Sequence, residues 1–294
     1  MKLSVIVPSL TGEVPQSLRT QVSERKDVEV VVVKGVSPVG RARNEGLDRA
    51  KGDYLAWVDS DDEVECSWLD EILAALVEEP DVVVIGHKWM LNANAVRVSV
   101  WRGGDLLESV LSQRILRPEM WNFVIRRNVW DGVRFKNDAH TFEDWEVMPR
   151  LLAKVRTVCR IDKPLYRYSV RGGSLTHQVD EATQKEAFQR AIARLPEIKR
   201  LGLWKRYGRI AKSGVGYMVY GCAEMLALSG NVQSPTKRGA ERWIRRHFLS
   251  LMTVPAPLTF KSKWVLATLG LWGVVKWYYL KHGGAPVTES GNRI

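Results

Sequence analysis

The chain has 294 residues, of which 45% are hydrophobic and 26% are charged, and its net charge is +11. This length and apolar content can bury a large core in one big domain or two ordinary ones, which argues against a disordered chain. The three cysteines lie far apart and form no C-x-x-C pair, so neither a disulfide framework nor a zinc site is indicated.

The excess positive charge is confined to the second part of the chain. Residues 1–180 carry 25 Lys and Arg against 27 Asp and Glu, whereas residues 181–294 carry 19 against 6, a net charge of +13. Such a basic segment suits an anionic surface, either phospholipid headgroups or a nucleic-acid backbone, and a solvated helical surface is the alternative. Because the sequence contains no nucleic-acid recognition motif, we do not expect a nucleic-acid partner.

The first part of the chain alternates between two kinds of segment. Apolar runs rich in β-branched residues predict buried strands, and more polar stretches between them predict helices. The predicted strands are residues 3–7, 28–33, 54–58 and 81–86, and the predicted helices begin at Arg41 and Ser67. This alternation predicts an α/β fold with a mostly parallel central sheet flanked by helices.

The third predicted strand runs directly into four carboxylates, Asp59, Asp61, Asp62 and Glu63, which need a compensating cation. In open α/β sheets, ligands bind outside the carboxyl ends of the strands, as here. A calcium loop is excluded because its sixth position is Val64 instead of Gly, and an aspartyl-phosphate enzyme would leave the neighbouring acids without roles. The remaining interpretation is a D-x-D pair that supports Mg²⁺ or Mn²⁺ on a diphosphate, with a polar helix-capping turn as the alternative.

Four motifs, in their order and spacing, resemble the family 2 glycosyltransferases, which have the GT-A fold. They are VIVPS at 5–9, ARNEGLDRAKGDYLAWVDSDD at 42–62, FEDWEVMPRLL at 142–152 and LYRYSVRGGSLTH at 165–177. The resemblance implies a GT-A catalytic domain over residues 1–180 and a separate basic, Trp-rich, mainly helical segment over 181–294. It also implies inverting transfer of a sugar from a nucleotide donor, first of all a UDP-sugar, to a lipid-linked or polysaccharide acceptor, as in the assembly of bacterial surface polysaccharide.

The resemblance also implies roles for particular residues. Those expected to contact the nucleotide and donor are Pro8, Ser9, Arg43, Asn44, Asp59, Ser60, Ser174 and Thr176. Those expected to bind Mg²⁺ or Mn²⁺ are Asp61, Asp59 and His177, although His177 can equally bond the backbone. Asp144 is expected to be the general base, beside Glu143.

The chemistry of glycosyl transfer needs such groups independently of any family. A departing nucleoside diphosphate builds up negative charge that a dication stabilises, and a carboxylate must accept the proton of the acceptor hydroxyl. The acidic clusters at 59–62 and 143–144 match these two roles. For the second cluster the alternative is structural, because acids favour the first turn of a helix.

One feature leaves the donor base open, and a second argues against a rival enzyme class. Relatives carry V-D-D-G-S after the second strand, with an Asp that recognises uracil, whereas this chain reads VVVKGVS with Lys34 there, so uracil, guanine and thymine all remain possible bases. A sugar-1-phosphate nucleotidyltransferase would need G-x-G-T-R-L after the first strand, where this chain has PSLTGEVP. A non-catalytic nucleotide- or nucleic-acid-binding protein that uses the basic segment is the alternative function.

Two C-terminal stretches combine basic and aromatic residues, namely KRGAERWIRRHF at 237–248 and WVLATLGLWGVVKWYYL at 264–280. A bilayer span takes about 20 apolar residues, and the second stretch has 17 with Lys276 among them. Aromatic rings beside basic residues favour an interfacial anchor on an anionic membrane, with packing or spanning as alternatives. The apolar run before Pro8 is shorter than a secretory signal, so we expect a cytoplasmic protein attached peripherally to the inner face of the cell membrane.

Overall fold

The computed structural model describes residues 3–87, 101–113, 116–169, 179–231 and 233–282. The chain forms two compact units. The first consists of Met1–Val110 and Arg114–Ser169, and the second of Leu111–Gln113 and Val170–Ile294.

The first unit contains an eight-stranded sheet. Its strands are β1 (Leu3–Ser9), β2 (Val28–Lys34), β3 (Tyr54–Trp57), β4 (Glu63–Val64), β5 (Val82–His87), β6 (Trp101–Arg102), β7 (Phe123–Arg126) and β8 (Thr157–Arg167). The strand order is β2-β1-β3-β7-β5-β8-β4, and β6 also pairs with β8.

The sheet is mixed. β1 is parallel to β2 and β3, and β5 is parallel to β8, whereas β7 is antiparallel to β3 and β5, and β4 and β6 are antiparallel to β8. The predicted α/β class is confirmed, and the parallel part is smaller than the sequence indicated. The physical reason is that an apolar run reveals burial but carries no sign of the direction in which its strand enters the sheet.

Helices cover this sheet and set the position of its polar edge. They are α1 (Gln16–Val22), α2 (Val39–Arg49), α3 (Trp68–Leu76), α4 (Gly103–Ser112) and α5 (Glu143–Leu152), with short 3-10 turns at Met120–Asn122 and Arg127–Trp130. Gly46 brings α2 close to β1, because a Cβ atom there would lie 2.4 Å from Cγ2 of Ile6. The close approach fixes where α2 presents the polar residues of its ARN segment.

The parallel strands β1, β2 and β3 end at the same edge of the sheet. Ser9 is in register with Lys34, and the Val58 N–H donates to the Ile6 carbonyl at 3.1 Å just after β3 ends. Asp59 therefore follows β3 at the carboxyl edge, where the sequence predicted a ligand site.

The second unit is helical in its described parts, as the sequence predicted. Its helices are α6 (Glu181–Arg200), α7 (Trp204–Leu228), α8 (Pro235–Met252), α9 (Leu258–Thr268) and α10 (Trp272–His282). Asp180 caps α6 by accepting from the Thr183 N–H, and Ser234 caps α8 by accepting from the Lys237 N–H. Trp264 is buried and donates to the Gly216 carbonyl at 3.0 Å, so α9 packs directly on α7.

The apolar stretch at 264–280 is divided between two helices. α9 ends at Thr268 and α10 begins at Trp272, and Gly270 between them adopts a φ of +70°. In the described part of the chain, the helices are either too short or too polar to traverse a lipid bilayer.

Candidate active site

The four carboxylates after β3 point to different partners. Asp62 is buried, and its two oxygens accept from the Tyr166 hydroxyl and the Ser169 N–H, each at 2.7 Å. Glu63 accepts from both the hydroxyl and the backbone N–H of Ser17 on α1. Asp59 is half-buried and Asp61 is exposed. The hydrogen bonds of Asp62 and Glu63 therefore hold the turn after β3 in place, whereas Asp59 and Asp61 remain available for a ligand.

The cation that compensates these carboxylates is Arg43, a buried residue of α2. Its Nη1 lies 2.6 Å from Oε1 of Glu143, and its Nη2 lies 3.5 Å from Oδ1 of Asp59. Its guanidinium also lies 5.7 Å from the ring centres of Trp57 and Phe135. Arg43 thus joins two acidic clusters that are far apart in the sequence.

Burial and charge act in opposite directions on these groups. Burial alone would lower the pKa of Arg43, but the carboxylates of Glu143, Asp59 and Asp144 outweigh it, and the pKa is raised. For Asp59, burial raises the pKa, Arg43 lowers it, and the neighbouring Asp61 raises it again, with a net upward shift. The pKa of Arg43 rises because several carboxylates face one guanidinium, whereas the pKa of Asp59 rises first because of burial.

Asp144 lies at the start of α5, after Phe142 in the left-handed conformation at φ 57°. Its Oδ1 accepts from the Trp145 N–H at 2.7 Å. Burial is the main cause that raises its pKa well above the usual range of a carboxyl group; the charge of Glu143 adds to the rise, and Arg43 opposes it. A carboxylate with a raised pKa is a stronger proton acceptor, which is what a general base requires. Glu143, in contrast, forms an ion pair with Arg43.

Sequence reasoning missed the part that Tyr166 plays in the site. Its hydroxyl donates to Asp62 and accepts from the Asp59 N–H at 3.1 Å, and its ring stacks on Trp121 with centroids 4.5 Å apart. Burial raises the pKa of Asp62 to about 7, and the charge of Asp59 also raises it. Tyr166 belongs to the LYRYSVRGG motif, so its position in that motif was the available signal.

Pro8 and Ser9 are at the end of β1, and their contact with a nucleotide stays a prediction. Ser9 is buried, and its hydroxyl accepts from the Gly12 N–H at 3.0 Å. Lys34 is exposed beside it at the end of β2, and its methylene chain covers Gly12, since a Cβ atom there would lie 2.8 Å from Cδ of Lys34. A cationic side chain thus occupies the position to which the resemblance assigns a base-recognising Asp.

The remaining predicted site residues are spread over several places. The amide of Asn44 donates to the Phe135 carbonyl at 2.9 Å and to Asn137 at 2.7 Å, and its oxygen accepts from the Phe135 N–H at 3.0 Å. Asn44 therefore holds the 135–137 segment in this structure, and its contact with a nucleotide stays a prediction. Ser60 lies in the turn between Asp59 and Asp61. Three further predicted residues lie outside the described residues, namely Ser174, Thr176 and His177.

The donor set at this edge suits a hard cation. Among the described residues, no group of three or more His, Cys, Asp or Glu side chains converges on a metal position. Asp61 is exposed, and its carboxylate makes no hydrogen bond or ion pair with any other described residue. Mg²⁺ and Mn²⁺ sites of this kind need only one or two protein carboxylates, with water and phosphate as the other ligands. Asp61 and the half-exposed Asp59 fit that requirement.

Comparisons with known proteins confirm the resemblance on which these roles rest. Residues 8–98 match the family described as Glycosyl transferase family 2. The putative glycosyltransferase EpsH of Bacillus subtilis (strain 168) is 22% identical over 166 residues, which cover 53% of this chain and 47% of that protein. Glycosyltransferase GlyG of Streptococcus pneumoniae serotype 4 is 25% identical over 163 residues, which cover 50% of this chain and 54% of that protein. The chain thus spans about half the length of the curated relatives it matches.

The fold is shared with a solved structure over nearly its whole length. S. aureus TarS 1–349 in complex with UDP-GlcNAc has a TM-score of 0.53 to this chain at 16% identity, and the match covers 97% of this chain and 93% of that one. At this level of identity the likeness concerns the fold. The GT-A architecture implied by the sequence motifs is therefore confirmed.

Proposed function

We propose that the protein is a metal-dependent, inverting glycosyltransferase that moves a sugar from a nucleoside-diphosphate sugar to the hydroxyl of a lipid-linked or polysaccharide acceptor. The observation that carries the proposal is the Arg43 bridge, with Nη1 2.6 Å from Glu143 and Nη2 3.5 Å from Asp59. It joins the metal-type cluster at 59–62 to the acidic pair at 143–144 on one edge of the sheet. Two separate carboxylate roles are what the reaction needs.

Each part of the site has a role in this proposal. Asp61, with Asp59, would hold Mg²⁺ or Mn²⁺, and such an ion supplies positive charge against the diphosphate. Asp144 accepts the proton of the acceptor hydroxyl on Oδ2, since its Oδ1 is engaged by the Trp145 N–H. Arg43 keeps Glu143 paired and thereby fixes the start of α5 beside Asp59. A base on the face opposite the leaving group gives inversion at the sugar carbon.

A UDP-sugar is the donor class that we place first. The TarS structure that shares this fold is a complex with UDP-GlcNAc, and a second one is a complex with UDP. Lys34 in place of the usual Asp is the feature that can shift the choice of base, because an ammonium group donates hydrogen bonds where a carboxylate accepts them.

Calorimetry on the wild type and Asp61→Ala with UDP, GDP, dTDP and CMP, each with and without Mn²⁺, tests this proposal. We expect one nucleoside diphosphate to bind in a manner that needs both Mn²⁺ and Asp61. The matched control is Asp70→Ala, because the Asp70 side chain is also exposed, lies on α3 and pairs with Arg25. Failure of the wild type to bind any of the four, or binding that ignores both Mn²⁺ and Asp61, would refute the donor site.

A further inference from the structure

Helix α10 has two different apolar faces. Trp272 and Val275 are buried and Tyr279 is half-buried, at the spacing of one helical face. On this face Trp272 Nε1 donates to Glu241 of α8 at 2.6 Å, and the Tyr279 hydroxyl donates to Glu224 of α7 at 2.9 Å. The inward face of α10 is therefore packed against α7 and α8.

The outward face of α10 is also apolar, although it is exposed. Val274, Trp277 and Tyr278 are 47%, 57% and 55% exposed, and together with Lys281 they follow the i, i+3, i+4, i+7 spacing of a single helical stripe. A surface helix of a water-soluble protein normally carries polar residues on this side. The stripe is thus an exposed and largely apolar face of α10.

Exposed apolar residues are concentrated in this part of the molecule. Eight of the eleven exposed large hydrophobic residues in the described chain lie between positions 249 and 280. Besides those of the outward stripe, they are Leu249, Leu258, Leu269, Leu271 and Leu280. Single exposed leucines are ordinary, but a concentration of this kind marks an interaction surface.

Exposed basic residues lie on α8 and on α10 itself. Arg238, Arg242 and Arg246 are exposed at successive turns of α8. Arg245 of the same helix donates from Nε to the Thr268 carbonyl at 3.1 Å, which places the basic side of α8 beside the turn that leads into α10. On α10 itself Lys281 belongs to the outward stripe, and its Nζ lies 5.1 Å from the ring centre of Trp277.

We infer that the outward face of α10 and the arginine stripe of α8 dock onto the surface of an anionic phospholipid bilayer. Trp and Tyr rings prefer the boundary between headgroups and acyl chains, and Lys and Arg pair with lipid phosphates. The helix is short and lies on the surface instead of crossing the bilayer. A second copy of the chain fits less well, because two such basic faces would repel each other. This inference does not rest on the proposed transfer reaction, and attachment to the inner face of the cell membrane stays a prediction.

Sedimentation of the full chain with lipid vesicles tests the inference without any donor or acceptor. One set of vesicles is phosphatidylcholine alone, and the other contains phosphatidylglycerol, each at low and at physiological salt. We expect binding to the anionic vesicles that weakens with salt. The double variant Trp277→Ser, Tyr278→Ser should bind at least about tenfold more weakly, and Lys281→Gln, on the same stripe, should lose about fivefold at low salt.

Matched controls come from exposed positions of the first unit. Val77→Ser removes an exposed apolar side chain, and Lys26→Gln removes an exposed charge, so both should bind vesicles as the wild type does. Because the mutated side chains are exposed, we expect the α10 variants to keep the melting temperature of the wild type. That result would show that they are folded. Equal binding to neutral and anionic vesicles would overturn the inference, and so would unchanged binding by the aromatic variant. Loss of a wild-type dimer in that variant, without vesicle binding by the wild type, would assign the face to a second copy instead.

Discussion

Asp144 and Glu143 are adjacent in the sequence and both buried, yet the structure predicts opposite effects on stability for their neutral isosteres. Burial first, and the charge of Glu143 second, raise the pKa of Asp144, so the ionised form of this side chain destabilises the folded state. Folded protein then binds more protons than unfolded protein, and stability is lost as pH rises from the unfolded pKa through the folded one. Asp144→Asn removes this loss and keeps an oxygen that accepts from the Trp145 N–H. We expect a gain on the order of 1 kcal/mol at neutral pH.

Catalysis should change in the opposite direction. An amide cannot accept the proton of an attacking hydroxyl, so the rate should fall by roughly 10²- to 10⁴-fold while the affinity for nucleotide stays unchanged. The assay is release of nucleoside diphosphate from the donor that binds in calorimetry, with water as acceptor, alongside urea unfolding at neutral pH. A residue with only a structural role would lose activity and stability together.

Glu143→Gln is the matched comparison. Its carboxylate lies 2.6 Å from Nη1 of Arg43, and both side chains are only 6% exposed. Removing one partner of a buried ion pair leaves the other charge uncompensated, so we expect a loss of about 3 kcal/mol. If Asp144→Asn is destabilising, or turns over donor within tenfold of the wild type, the assignment of Asp144 as a buried, strained general base is wrong.

Two further predictions concern the residues that support the site. The pKa of Asp62, about 7 in the folded protein, implies stability that falls as pH rises from about 4 to about 7. Asp62→Asn should flatten this slope in urea titrations across that range, and an unchanged slope would show that another group causes it. Asn44→Ala removes three hydrogen bonds to residues 135–137 and should cost about 1 to 3 kcal/mol. Calorimetry then decides its second role, since a purely structural Asn44 leaves nucleotide affinity in the folded variant within about twofold.

The strands that the sequence located well are those that coincide with nearly uninterrupted apolar runs. Runs predicted at 28–33 and 54–58 appear as β2 at Val28–Lys34 and β3 at Tyr54–Trp57, because such apolar runs have few other places in a fold. β7 was not predicted. Its four residues, Phe123–Arg126, pair antiparallel with strands on both sides. So short an apolar run predicts neither the presence of a strand nor the direction of that strand in the sheet.

Within the site, the kinds of group could be predicted from the sequence, but their pairing could not. Asp59 and Asp61 could be placed after β3, and Asp144 at a helix start, from local patterns alone. That Arg43 contacts Glu143, one hundred residues later, depends on how α2 and α5 pack at the sheet edge, which no local pattern encodes. The same is true of Tyr166, whose hydroxyl reaches back to Asp59 and Asp62.

The balance of charge at this edge connects the stability and the function of the site. Arg43 is the cation that contacts it, and it faces the carboxylates of Asp59, Glu143 and Asp144, with the exposed Asp61 nearby. Among the described residues, this one guanidinium faces the three carboxylates of Asp59, Glu143 and Asp144, so part of the cost of burying them is left in the folded protein, as the raised pKa values of Asp59 and Asp144 indicate. A bound dication would relieve that cost on the Asp59 and Asp61 side, whereas Asp144, beyond the Arg43 bridge, would keep its raised pKa. The Arg43 bridge therefore lies between the proposed metal ligands and the proposed general base. A positive charge added at the metal site would leave the pKa of the carboxylate that takes the proton high.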